Sequence, residues 1–210
     1  MRMPVLPTLV VLAAVALMIG LGIWQLERRA EKGAALAHYA GNQSLPAMAF
    51  PNPPVGDQYL FRRASLMCVT VAGWQEGAGR AENGQSGWRH LARCRQGVEA
   101  LTVLVDMGVS TAPGATPIWK GGQVTGTITH APDATPLLAG LFGKRPPRPL
   151  MLVAETPAPG LAESARPDPA SIPNNHLAYA IQWFLFAAVA SVIYLLALRW
   201  RARRAESPQS

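Results

Sequence analysis

His176 is followed at i+3 by Tyr179 and at i+7 by Trp183. On a helix these positions share one side, so an imidazole is succeeded by two aromatic surfaces along a single stripe. Such a stripe could hold a flat, apolar macrocycle, with the ring nitrogen as axial ligand and the aromatics stacked beside it. The same residues could also cap nearby backbone and join an interfacial belt, as Tyr and Trp often do in membrane proteins. The rest of the chain offers no hydrolase or transferase signature. It has no Gly-x-Ser-x-Gly, no phosphate-cradling glycine loop, no His-Glu-x-x-His and no Cys-x-x-Cys, which removes the usual routes to nucleophilic, nucleotide-dependent or zinc chemistry.

The remaining titratable residues are plainer. His38, His90 and His130 have no recognisable partners in the sequence and read as surface or satisfied polar groups. Asp106 and Glu155 are single carboxylates at strand ends, better suited to solvent or to nearby arginines than to catalysis. Arg62, Arg63, Arg89, Arg93 and Arg95 could form a basic face toward anionic headgroups or an acidic partner, or an ordinary solvated face. Cys68 and Cys94 fall in neighbouring candidate strands, where a disulfide or two buried thiols would fit.

The element that must position His176 is a helix. Pro173 stops a helix from continuing through it, and Asn174 or Asn175 can accept a bond from a free N–H of the next turn. From Ala178 to Leu198 there is no charged residue, enough at a 1.5 Å rise to cross a hydrocarbon core of roughly 30 Å. Arg199, Arg201, Arg203 and Arg204 follow at once, and the positive-inside rule holds them in the cytoplasm. Much of the net charge of +7 is thus explained by topology rather than by nucleic acid.

A first apolar run, Val5 to Leu26, reads as a retained span rather than a cleaved leader, because Gly22-Ile23-Trp24-Gln25-Leu26 is a poor small-residue cleavage site. Two spans then place both termini in the cytoplasm and the middle in a bacterial periplasm. Ala13, Ala16 and Gly20 recur along one side of the first span, a pattern that admits a close helix neighbour; Ala187, Ala190, Ser191 and Tyr194 offer a comparable face on the second. Trp24 and Gln25 should end the first span at the membrane depth of His176.

Between the spans, five runs read as strands: Ser65 to Trp74, Trp88 to Cys94, Leu101 to Asp106, Gln123 to His130 and Leu150 to Glu155. Thr135 to Phe142 reads as a short helix. The expected fold is an α+β membrane protein, with two transmembrane helices flanking a periplasmic antiparallel β-sheet or small β-barrel. Its expected segments are a cytoplasmic N-terminus (1–4), a first span (5–26), a helical stalk with a proline-rich connection (27–57), the β-rich domain (58–155), a second proline-rich connection (156–175), the second span (176–198) and a basic tail (199–210).

Two motifs carry a resemblance. Gly22-Ile23-Trp24-Gln25-Leu26-Glu27-Arg28 with Lys32, and Asn174-Asn175-His176-Leu177-Ala178-Tyr179-Ala180-Ile181-Gln182-Trp183-Phe184, occur in the order found in the surfeit locus protein 1 family of cytochrome c oxidase assembly factors. The chain resembles that family over nearly its whole length. The resemblance implies an inner-membrane assembly factor, not an enzyme, acting in biogenesis of the haem a-containing subunit I, with the haem a synthesis machinery as a further partner. It implies transient handling of haem a, with His176 as iron ligand and Tyr179, Trp183, Trp24 and Gln25 lining the site. The alternatives are a haem-independent scaffold for nascent subunit I and a membrane redox enzyme. The middle departs from the family pattern: relatives usually show Asn-Arg-Gly-Trp at a strand end, where this chain has Asp106-Met107-Gly108-Val109.

Overall fold

A computed structural model describes residues 4–97, 102–133 and 147–206. The chain divides into two units: residues 1–35 with 173–210, and residues 36–172. The first holds most of two long helices, α1 (Val5–Gln43) and α2 (His176–Glu206). Both are long and apolar enough to cross a membrane, and only 6% of the most apolar stretch of each is buried; a core helix of a soluble protein would be mostly covered. Helix α1 begins at Pro4, whose carbonyl accepts the Thr8 N–H, and Pro7 falls in the first turn, where a missing N–H costs no helical bond. It ends as Ser44 and Leu45 bond back to Gly41 and Asn42, just before Pro46.

In the helix unit the covered residues recur at alternating steps of three and four. On α1 they are Thr8, Val11, Val15, Met18, Gly22 and Gln25, with Leu21 beside them, and on α2 they are Ala180, Trp183, Ala187, Ala190 and Tyr194, with Ser191 beside them. This is the spacing of a coiled-coil-like seam. The Thr8 and Tyr194 hydroxyls meet at one end of it. The seam differs from the sequence expectation on α1, where Ala13, Ala16 and Gly20 are all exposed, Gly20 with nothing within 4 Å of a built Cβ. Small size alone does not choose a face; Gly22 is the small residue used, and the Phe184 ring occupies the space its side chain would fill.

The second unit is a seven-stranded sheet: β1 (Met48–Ala49), β2 (Arg63–Cys68), β3 (Thr70–Arg80), β4 (Ser86–Arg95), β5 (Thr102–Ser110), β6 (Gly122–His130) and β7 (Leu150–Ala154). Their order is β1-β2-β6-β7-β5-β4-β3. Only Val69 separates β2 from β3, yet β2 pairs with β6 while β3 pairs with β4. One bent strand therefore joins the two flanks of the sheet and curls it into an open barrel, with no ladder between β3 and β1 or β2 among the described residues. The single run expected over Ser65 to Trp74 is thus two strands with different partners. Four pairings are antiparallel, but β1–β2 and β5–β7 are parallel, so the sheet is mixed where an antiparallel one was expected. The parallel β5–β7 pair requires a long crossover, and the chain between Ser110 and Leu150 provides it. The helix expected over Thr135 to Phe142 lies outside the described residues.

Inside the barrel Leu66, Val105, Ile128, Leu150 and Leu152 form the main core, with Cys68 and Cys94 joined as a disulfide whose Cα atoms are 5.1 Å apart. A smaller cluster, Leu91, Ala131, Met151 and Val153, covers the other face. The unit is wider than the 58–155 span expected, because both proline-rich connections belong to it. The Asn42 side chain donates to the carbonyls of Gln58 (2.9 Å) and Leu60 (2.8 Å), the Tyr39 ring packs 5.4 Å from Phe61, and Ile172 packs on the core.

Candidate cofactor site at the paired helix ends

The site begins at the N-terminus of α2. The Asn175 carbonyl accepts the Tyr179 N–H at 3.3 Å, which makes His176 the first helical residue. Asn174, one of the two residues expected as a side-chain cap, turns to the other helix: its Nδ2 donates to the Arg29 carbonyl at 3.4 Å, and its Oδ1 is buried with no partner among the described residues. Beside it, His176 Nδ1 lies 2.7 Å from Gln25 Oε1 across 151 residues of sequence. His176 Nε2 meets no partner among the described residues.

Of the five residues singled out from sequence, the fold brings His176 and Gln25 into direct contact. Trp183 is half-buried on the same seam, its ring edge-on to Phe186 at 6.1 Å. Tyr179 and Trp24 stay outward, 52% and 50% exposed. The covered side of α2 runs through 176, 180 and 183, which leaves position 179 at the rim of the seam. The Phe184 ring packs over Gly22, one α1 turn before Gln25, and brings the helices close at this level.

The barrel unit holds other polar clusters. Asp106 is 3% exposed; its Oδ1 accepts from the Ser164 hydroxyl (2.7 Å) and the Gly108 N–H (3.1 Å), and its Oδ2 lies 3.9 Å from Arg89. Burial raises its pKa, against the opposing pull of those donors, Arg89 and His90. With Arg89, Thr129, His130 and Ser164 it lines a cavity of about 300 Å³. Burial and Arg148 lower the His130 pKa, while Asp57, 3.4 Å away, works against them. Glu155 is held by Arg63 through two bonds of 2.8 and 3.1 Å. Arg63 and Arg89 are therefore engaged by carboxylates rather than standing in an open basic face. The exposed His38 approaches the Gln58 carbonyl at 3.4 Å.

Sequence reasoning missed one cluster. His90, 2% exposed, has Nε2 2.8 Å from Ser110 Oγ and 3.8 Å from Glu76, which also accepts the Gly114 N–H. The signal is present in strand alternation: His90, Ala92 and Cys94 fall on alternate positions of the run from Trp88 to Cys94. The trio does not have hydrolase geometry: serine and carboxylate both approach the same ring nitrogen, and the Ser110 hydroxyl lies 2.6 Å from the Ala112 carbonyl, to which it donates. It pins the 110–114 turn.

Among the described residues no group of three His, Cys, Asp or Glu side chains could enclose a metal ion. A protein site for a bare transition ion takes three or four such ligands. The single imidazole at the helix end suits a different task, namely the axial position of a metal already held by a macrocycle. The family model of the SURF1 family matches residues 12–188. No curated protein matches the chain.

Proposed function

Because the chain belongs to the SURF1 family, whose members are cytochrome c oxidase assembly factors, we propose that it assists insertion of haem a into subunit I of the haem-copper oxidase. The observation that carries the reading is the His176 imidazole, held by Gln25 at Nδ1 with Nε2 left for a ligand, and Trp183 half-buried on the same seam. These residues fit an axially ligated macrocycle. Tyr179 and Trp24, half-exposed at the rim, offer it aromatic surface. Haem a is cargo here, so the chain acts by holding and release rather than by turnover. Arg199, Arg201, Arg203 and Arg204 support cytoplasmic termini and a periplasmic barrel unit, the side from which subunit I and the haem a synthesis machinery would be met.

The test is the absorption spectrum of detergent-solubilised protein from cells that make haem a, with co-isolation of subunit I measured in parallel. His176→Ala should lower co-purifying haem by about tenfold or more, since a lost ligand costs at least as much as a lost outer-shell partner. Unchanged occupancy and an unchanged spectrum would refute the ligand role. A colourless wild-type protein that still captures subunit I would identify a haem-independent scaffold instead.

A further inference from the structure

Neutral imidazole carries its proton on either ring nitrogen, and the partner of one nitrogen decides the state of the other. Only the tautomer protonated at Nδ1 leaves Nε2 with a lone pair for a metal. In this protein Nδ1 faces Gln25 Oε1 at 2.7 Å, and an amide oxygen can only accept. Gln25 is itself fixed. It is the seam position three residues after Gly22, where the Phe184 ring draws the helices together, and Asn174 bonds to the Arg29 carbonyl one turn beyond it. A glutamine at the end of an apolar seam must find a polar partner, and this one finds His176.

We propose that Gln25 is a positioning residue: it holds His176 in the Nδ1–H tautomer and so presents Nε2 as a ready ligand, without itself touching the bound group. This rests on the haem-handling reading for its purpose but not for its geometry. It also separates two motif residues that lie side by side in sequence, since Trp24 points outward while Gln25 points at the imidazole.

The tautomer can be read without any haem. Full-length protein labelled with ¹⁵N at histidine, solubilised in detergent at about pH 8, above the usual imidazole range, would be examined by NMR, with the His176 signals assigned by their loss in His176→Ala. We expect a protonated Nδ1 and an unprotonated Nε2 in the wild type and in Gln25→Glu, which keeps an acceptor. In Gln25→Leu the preference should be lost or reversed. Haemin titrated into the same samples should bind about 10- to 100-fold more weakly to Gln25→Leu. Gln25→Glu should bind close to wild type, with a lowered reduction potential because a carboxylate makes the imidazole more basic. A wild-type His176 protonated at Nε2, or a Gln25→Leu protein with wild-type tautomer and haemin affinity, would overturn the proposal. A Gln25-dependent tautomer in a protein that binds no haemin would uphold the positioning role and refute haem handling.

Discussion

Asp106 shows what a single side chain does within β5. Its carboxylate accepts bonds from Gly108 and from Ser164, 58 residues further on, and so ties the segment after β7 to β5. Gly108 belongs to the same tie. At φ +127° it occupies the left-handed half of backbone space, and a Cβ there would come within 2.6 Å of the Ala162 carbonyl oxygen. The strand could be read from sequence, although it runs through Gly108 to Ser110 and does not end at Asp106 as expected; Ser164 could not be matched to it, because nothing local marks a partner that distant. Burial raises the Asp106 pKa above its unfolded value, so the folded state binds the proton more tightly. The stability it contributes is then fully present below the unfolded pKa and is lost as pH rises through the folded one. Asp106→Asn keeps the accepting oxygen and removes the charge. It should therefore raise the unfolding midpoint near neutral pH and flatten the fall in stability above about pH 4. Denaturant titrations of both proteins across that range test this; a less stable variant at pH 7 would mean that attraction to Arg89 outweighs desolvation.

At the scale of elements, both helices and most strands are visible in hydropathy and alternation, whereas the choice of faces is not. Ala13, Ala16 and Gly20 looked like a helix-packing stripe because small residues permit close approach. The seam passes instead through Thr8, Val15, Gly22 and Gln25, where hydroxyl, ring and amide each meet a specific partner on α2. In lipid a small residue gains little by itself, and what fixes the face is the set of polar groups that must be paired. Gly20 and Gly22 allow a direct comparison. Gly22→Leu would collide with the Phe184 ring and should lower the unfolding midpoint in mixed micelles, by about 1–3 kcal/mol for an overpacked site. It should also shift the His176 ring signals by moving the helices apart. Gly20→Leu, on the open side, should leave both unchanged. Equal effects of the two would show that the seam is placed wrongly.

For the whole molecule, the consequential feature is that one chain carries two units of different kinds, a helix pair with the candidate ligand and a barrel with its own core. That division was legible as two apolar runs around a β-rich middle. The bend at Val69 was not, because a continuous apolar run from Ser65 to Trp74 gives no local sign that its halves pair with opposite flanks of the sheet. The disulfide lies just at this bend, joining Cys68 at the end of β2 to Cys94 of β4 across a sequence separation of 26. Cross-linking a loop of that length typically contributes about 2–4 kcal/mol. Residues 36–172 produced alone under oxidising conditions should therefore fold in one cooperative transition, because the main core, the disulfide and the Asn42 bonds all lie within that range. Replacing both cysteines by serine should destabilise the unit by roughly that amount. This unit should give no axial-imidazole spectrum with haemin, while the full chain should. Equal haemin binding by the isolated unit, with His38, His90 or His130 as ligand, would move the cofactor site out of the helix pair and refute the role assigned to His176.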